Sequence, residues 1–456
     1  MAIIPRLIIA ATQSGSGKTT IVSGLLAALK MRGLEVQAYK IGPDYIDPGY
    51  HEIASGKHSH NLDTWLVGSE KLGEIFFNSF GASDIAIIEG VMGLYDGGRG
   101  GISSTAEVAK FLDAPVVLVI DAKSMGASAA AIALGFREFD KSINLAGVIL
   151  NKIGSESHKK MIVDALDKIG IKCFGAIKRD AELVLPERHL GLVPTIENNF
   201  DEIIEKLAIK ISKQLDIGAL LDVANLPLNI NFEIRNNKKI TPVCKIAVAR
   251  DKAFSFYYEQ SLREFENFGA EIIFFSPLYD EFLPENIDGL ILGGGFPEMF
   301  ALQLEENKKI RAEIKAVVDN GLPIFAECGG YMYLMDSIAD FDGKIFEMCG
   351  VIPSRAIMTN KLQMVGYIEA TLTKNCVIGK VGDKFHAHEF HFSKEISTTA
   401  EEDTFSCRKL RTGESYFEGF SNENVVASYL HIHFAGCESA AKNFVTACVN
   451  FHNSKI

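Results

Sequence analysis

The stretch Thr12-Gln-Ser-Gly-Ser-Gly-Lys-Thr19 follows an apolar run over residues 6–11 and opens a helical pattern. A strand, a glycine-rich turn and a helix in that order make a phosphate-holding loop. Glycines let backbone N–H groups turn inward, and the helix N-terminus adds partial positive charge. Far downstream a second strand-turn-helix signature, Ala326-Glu-Cys-Gly-Gly330, has small residues where a sharp turn would expose a thiol. A chain with both has a phosphate site at one end and a nucleophile at the other. That pairing excludes far more than either motif does alone.

Strand and helix patterns alternate around the first motif. Apolar strands are expected at residues 6–11, 35–41, 85–89, 115–121, 146–151 and 171–177, with helices between them at 20–32 and 127–139 among others. The expected fold class is α/β, with an N-terminal doubly wound parallel sheet and right-handed crossovers. Residues 221–243 turn polar, Asn-rich and aperiodic and read as a linker between a domain over 1–220 and one over 244–456. The second domain begins another α/β pattern, with strands at 246–249, 271–275, 289–292 and 322–326 and a helix at 331–337. It shifts to short strands after Gly350 and ends in a helix over 437–451.

Length agrees with this division, since 456 residues exceed one ordinary domain. The net charge of −12 argues against general nucleic-acid or anionic-membrane binding, so an anionic substrate would need a local basic pocket. The longest apolar runs fall well short of the roughly 20 residues a bilayer requires. Residues 1–11 read as a first strand rather than a signal peptide. Eight cysteines lie singly, with no Cys-x-x-Cys pair, which points to a reducing cytoplasm rather than to disulfides or zinc.

In the first motif, Gly15 and Gly17 would shape the loop, Lys18 would reach the terminal phosphates of ATP, and Thr19, with Thr20 beside it, would start the helix. The Thr19 hydroxyl would sit on Mg²⁺. Glu89, at the end of strand 85–89, and Asp44 in Lys40-Ile-Gly-Pro-Asp44 are the candidate carboxylates for that metal. Lys40 could hold a substrate carboxylate or a transferring phosphoryl group, and Asn151 could contact the base. The first motif position is Thr12 rather than glycine. That departure resembles the P-loop branch that includes dethiobiotin synthetase and partition-type ATPases.

In the second motif a helix N-terminus would favour the Cys328 thiolate. The triplet Gly293-Gly-Gly295 follows a strand and could aim N–H groups at an oxyanion; Gly294, Gly295 and Gly329 are the candidate donors. Ser428-Tyr-Leu-His-Ile-His433 puts two histidines on one strand face, with His431 the expected base and His433 the residue that would orient it. The cluster His386-Ala-His-Glu-Phe-His391 has metal-like composition. In a strand, however, His386 and His388 face one way and Glu389 and His391 the other, so substrate contact or a structural strand is expected instead.

Taken in order, these motifs resemble the cobyrinate a,c-diamide synthase family over essentially the whole chain. The carrying strings include Lys40-Ile-Gly-Pro-Asp-Tyr-Ile-Asp-Pro48, Glu89-Gly-Val-Met-Gly-Leu-Tyr-Asp96, Pro186-Glu-Arg-His-Leu-Gly-Leu192, His388-Glu-Phe-His391 and Ser428–Phe434, with both motifs above. The resemblance implies a C-terminal domain like class I glutamine amidotransferases. It also implies ATP- and glutamine-dependent amidation of the a and c acetate carboxylates of a corrinoid, with Arg188 and His189 toward that substrate. His386-Ala387 stands where the family pattern has Arg-Gly, so carboxylate recognition could differ here. The same chemistry on Ni-sirohydrochlorin or hydrogenobyrinate, or a partition-type ATPase switch, stays open from the sequence, as does homo-oligomerisation.

Overall fold

A computed structural model describes residues 4–180, 185–188, 191–197, 199–226, 240–397 and 403–455. The chain divides into two compact units, Met1–Thr64 with Gly68–Arg235, and Trp65–Val67 with Asn236–Ile456. Each is α/β.

The first unit is built on seven strands: β1 (Arg6–Ala11), β2 (Val36–Ile41), β3 (His60–Leu62), β4 (Ile85–Glu89), β5 (Val116–Asp121), β6 (Leu145–Ile153) and β7 (Cys173–Lys178). Their order is β3-β2-β4-β1-β5-β6-β7, and all pairs are parallel. β1 is buried along its whole length, as a strand covered on both faces must be. The helix Lys18–Met31 presents Ile21, Val22, Leu25, Leu26 and Leu29 to the same core as Ile204, Leu207 and Ile211 of the helix Asp201–Gln214. Each such side chain, fully buried, contributes about 1.5–3 kcal/mol. β1 lies between β4 and β5, where the strand order reverses, so the loop after β1 opens into the crevice at the sheet's carboxyl edge. Register then fixes the neighbours: Glu89 pairs with Ile9 on one side and Lys40 on the other.

β3 escaped the sequence reading because three residues carry no period. The predicted linker also starts later than its composition suggests. The helix Ile217–Ala224 is capped by Asp216, which accepts from the Ala219 N–H at 3.0 Å, and it buries Leu220 and Ala224. Residues 227–239 of that predicted linker lie outside the described residues.

The second unit centres on a six-stranded sheet, in the order Ala270–Phe275, Cys244–Ala249, Gly289–Leu292, Ile324–Glu327, Val425–Ser428 and Phe420–Ser421. All pairs are parallel except the last. Alternate residues feed two cores. Ile246, Val248, Ile291, Phe325 and Val426 pack on one face, and Ala247, Leu290, Leu292, Ala326 and Ala427 on the other. The helix expected over 331–337 is shorter, Gly329–Leu334, because Met335–Ala339 pairs with Ile352–Met358 and buries Ile338 in that pairing. Tertiary pairing outweighs local helix preference there.

Candidate functional site

Gly15 and Gly17 have φ of 74° and 84°, so the loop after β1 turns through the left-handed region where glycine is favoured. A Cβ on Gly17 would lie 2.5 Å from Asn151 Nδ2, and that nitrogen donates to Ser16 O at 2.8 Å. Asn151 therefore braces the loop from β6. Thr20 is half-buried on the helix's first turn. Lys18 is buried and donates to Met92 O at 2.5 Å. Burial, and then the charge of Lys40, lowers its pKa to about 8.

The Thr19 hydroxyl donates to Glu89 Oε1 at 2.7 Å and lies 3.2 Å from Asp47 Oδ2. Lys40 Nζ sits between the same two carboxylates, 2.5 Å from Asp47 and 2.9 Å from Glu89. Behind them His51 Nε2 meets Glu89 Oε2 at 2.7 Å, and its Nδ1 meets Ser59 at 3.1 Å. Burial alone would raise Glu89, but Lys40 and His51 hold it well below the usual carboxylate range. Asp47 goes the other way: burial and then the charge of Asp44 raise it well above that range, Lys40 notwithstanding. A hydroxyl and two carboxylates converging this closely form a hard oxygen set of the kind Mg²⁺ takes. A cation there would also offset the charge that keeps Asp47 raised.

Asp44 is differently employed. Its Oδ1 accepts from the backbone of Ile46 and Asp47, tying down the start of the helix Asp47–Ser55, and its Oδ2 stands 4.0 Å from Lys40. Asp47, which the sequence reading passed over, is the residue beside Thr19. Its signal was faint: the turn that Asp44 closes is what swings Asp47 inward. Arg188 lies in a short antiparallel pair, Glu187–Arg188 with Gly191–Leu192. His189 lies outside the described residues.

In the second unit Cys328 has φ 46° and ψ −101°, a strained conformation for a residue with a Cβ. Its N–H donates to Ser428 O at 2.7 Å, and its carbonyl accepts from Met332 at 2.9 Å. A Cβ on Gly330 would stand 2.1 Å from Leu292 O, so only glycine fits the turn. Gly329 packs so that its Cβ position would be 3.0 Å from the Gly295 nitrogen. Gly293 is otherwise engaged, donating its N–H to Tyr257 OH at 2.8 Å. Gly294 lies flat against His431, where a Cβ would be 2.6 Å from Cε1.

The buried His431 ring lies where the Cys328 thiol acts on its charge. Glu327 Oε2 is 3.9 Å from His431 Nδ1, and Glu327 Oε1 accepts from Ile432 N at 2.8 Å. Burial would lower the His431 pKa, but Cys328 and then Glu327 raise it to about 10. His433 instead stacks on Tyr258 with ring centroids 4.4 Å apart, its Nδ1 3.4 Å from Ser261 Oγ. Strand spacing predicts one shared face for the two histidines, and both are buried. It could not see that strand register sets Glu327 opposite Ser428 and so within reach of His431. In the His386–His391 strand, His386 is exposed. His388 pairs with His431 in register and stacks on it at 4.8 Å, and its Nε2 bonds Tyr258 OH at 2.8 Å. Burial and then the neighbouring histidines hold His388 well below the ordinary imidazole range, so it faces His431 as a neutral ring.

Because Glu327 raises the His431 pKa, replacing it by glutamine should lower that pKa. The alkaline limb of the pH profile for glutamate release from glutamine should then move to lower pH. A limb at the same pH in Glu327→Gln would show that Glu327 does not act on His431.

Known proteins place both halves. Residues 7–193 match the CobQ/CobB/MinD/ParA nucleotide binding domain, and residues 245–438 the CobB/CobQ-like glutamine amidotransferase domain. A cobyrinate a,c-diamide synthase from Dehalococcoides mccartyi is 42% identical over 459 residues, 98% of this chain and 99% of that one. Its counterpart from Caldanaerobacter subterraneus subsp. tengcongensis is 42% identical over 97% of this chain and 98% of its own. The chain belongs to the cobyrinate a,c-diamide synthase family. As a member it is a carbon–nitrogen ligase that takes its amide nitrogen from glutamine, with a nucleotide-binding P-loop half. Among the described residues no helix is long and apolar enough to cross a membrane.

Proposed function

We propose that this chain amidates the a and c acetate carboxylates of cobyrinate in cobalamin biosynthesis, using ATP and glutamine. The observation that carries the reading is the Cys328–His431–Glu327 arrangement on the same chain as a P-loop whose Thr19 meets Glu89 and Asp47.

A carboxylate is a poor acceptor of ammonia. In the first unit a substrate carboxylate oxygen attacks the γ-phosphorus of ATP, releasing ADP and leaving an acyl phosphate. Gly15, Gly17 and the N-terminus of the helix at Lys18 hold the phosphates, with Asn151 keeping the loop in shape and Thr20 beside it. Lys18 supplies charge to the transferring group, and phosphate oxygens would replace Met92 O as its partner. Thr19, Asp47 and Glu89 would hold Mg²⁺, which neutralises charge on the phosphates when bound. His51 keeps Glu89 oriented, and Asp44 acts through the backbone of Ile46 and Asp47, which it holds. Lys40, between the carboxylates, is placed to balance them and to meet the anionic substrate. Arg188 and His189 are proposed contacts to the corrinoid on family likeness alone.

In the second unit the Cys328 thiolate attacks the glutamine amide carbon. The Gly295 and Gly329 amides, with Gly294 behind them, stabilise the oxyanion. His431 gives its proton to the departing nitrogen, releasing ammonia and a thioester, and then takes a proton from the water that frees glutamate. Glu327 holds the imidazolium, and His433 packs the strand against Tyr258. Ammonia displaces phosphate from the acyl phosphate, forming the amide.

The test is to supply ATP, Mg²⁺ and glutamine with cobyrinate, Ni-sirohydrochlorin or hydrogenobyrinate in turn and weigh the products. Diamide from cobyrinate is expected. Product only from another tetrapyrrole would move the substrate assignment, and ATP hydrolysis with no amide from any of them would favour a P-loop switch.

A further inference from the structure

A base that moves a proton between a thiol and a leaving nitrogen must hold its ring plane through the whole reaction. Glu327 Oε2 stands 3.9 Å from His431 Nδ1, beyond hydrogen-bond length. A charge at that distance favours the imidazolium without fixing the plane of the ring. The plane is set by what packs on it. Gly294 closes the Cε1 edge, where a Cβ would come within 2.6 Å. His388 closes a face, its ring 4.8 Å from that of His431 and tilted from it by only 16°.

The motif that contributes His388, His386-Ala-His-Glu-Phe-His391, has no part in the reaction as drawn above. Its strand pairs antiparallel with His431–Ile432, and His388 falls directly opposite His431, so the two side chains stand side by side on one face. His388 is held in turn. Its Nε2 and the Tyr258 hydroxyl are 2.8 Å apart, which fixes the ring against rotation. Tyr258 directly precedes the helix Glu259–Asn267 and stacks on His433 at 4.4 Å and 17°. His433 Nδ1 lies 3.4 Å from Ser261 Oγ, and that oxygen accepts the Phe434 N–H at 3.0 Å. The four rings therefore form a closed set: His431 against His388, His388 bonded to Tyr258, Tyr258 against His433, and the backbone joining His433 to His431. None of the four residues is more than 4% exposed. Burial first, and the neighbouring histidines second, keep His388 neutral. A neutral aromatic face accepts an imidazolium lying on it, whereas a second charge there would repel it.

We propose that His388 is a positioning residue for the glutaminase reaction, its ring face holding the His431 imidazole in the plane that serves Cys328. The assignment rests on the glutaminase reading of Cys328. His388 acts through His431 and does not touch glutamine, and Tyr258 acts one step further back by fixing His388.

The test replaces the ring with and without its aromatic face, on the full chain. His388→Leu is expected to lower kcat for glutamate release about 10- to 100-fold with little change in the KM for glutamine, the effect of a misaligned base. His388→Phe, which keeps the face, should retain most of the rate. A second readout follows the base without turnover: alkylation of Cys328 by iodoacetamide, read by mass on its own peptide. It should slow in His388→Leu and not in His388→Phe, with the buried Cys407 and Cys448 protected in both. An unchanged kcat in His388→Leu, a raised KM at unchanged kcat, or equal losses in His388→Leu and His388→Phe would overturn the assignment. If Cys407 and Cys448 become reactive in His388→Leu, its core has loosened and Tyr258→Phe decides instead. That variant keeps the stack on His433 and removes one hydrogen bond, so kcat should fall about 3- to 10-fold. No fall there would overturn the assignment. Cys328→Ala separates the two levels. If it keeps glutaminase turnover, the thiol chemistry fails and the role of His388 with it. If it loses turnover while His388→Leu matches the parent chain, only the role of His388 fails.

Discussion

Cys328→Ala should lose glutamine-dependent amidation by about 10³-fold or more while keeping most of the rate driven by high ammonium chloride. The expectation follows from where the residue sits. Its N–H, its carbonyl and the turn after it are all fixed inside the second unit by Ser428, Met332 and the close approach of Gly330 to Leu292. Removing Sγ takes away the nucleophile, and alanine keeps the Cβ the strained turn already accommodates. The phosphate loop belongs to another sheet and another core. Steady-state rates with the two nitrogen sources, measured on one preparation, check this. Equal loss from both would contradict a division of labour between the units.

Lys18→Ala should have the complementary effect, a fall of about 10³-fold in amidation whichever nitrogen source is used, with glutamate release from glutamine retained. Lys18 is a buried cation on the first turn of the helix that follows the loop. Its pKa is depressed to about 8 by burial and by Lys40, and phosphate charge would reverse that depression. Without it the γ-phosphoryl group loses its nearest mobile positive charge. The same assay divides the two neighbouring aspartates. Asp47→Asn should raise the Mg²⁺ needed for half-maximal rate, because Asp47 is the carboxylate beside Thr19. Asp44→Asn should act more weakly, since its carboxylate serves the backbone of residues 46 and 47. The reverse order of sensitivity would return the metal to Asp44.

What could be read from the sequence was whatever depends on residues close in the chain. The loop from Thr12 to Thr19 and the turn from Ala326 to Gly330 each carry their geometry in consecutive residues. The six main strands of the first sheet are long enough to show an apolar run. The residues that complete both sites are set by register between strands distant in sequence. Glu327 reaches His431 because Ile324–Glu327 runs beside Val425–Ser428. Glu89 reaches Lys40 because β4 lies beside β2. A parity argument could say that His431 and His433 share a face. It could not say that Tyr258 and Ser261 engage one of them while a glutamate next to the nucleophile approaches the other. His51 was invisible for the same reason: its partner, Glu89, is 38 residues away in sequence. The stack of His388 on His431 joins two strands distant in sequence, and no local pattern announces it.

In the proposed reaction, nitrogen freed at Cys328 is what the phosphate-activated carboxylate receives. The measurement is the mass of the product formed from cobyrinate, ATP, Mg²⁺ and glutamine labelled with ¹⁵N in its amide, with unlabelled ammonium present at a low concentration. A diamide carrying ¹⁵N at both new amides is expected, with no labelled product when Cys328 is alanine or Lys18 is alanine. A diamide whose nitrogen comes from the unlabelled pool, or label that persists in Cys328→Ala, would contradict it.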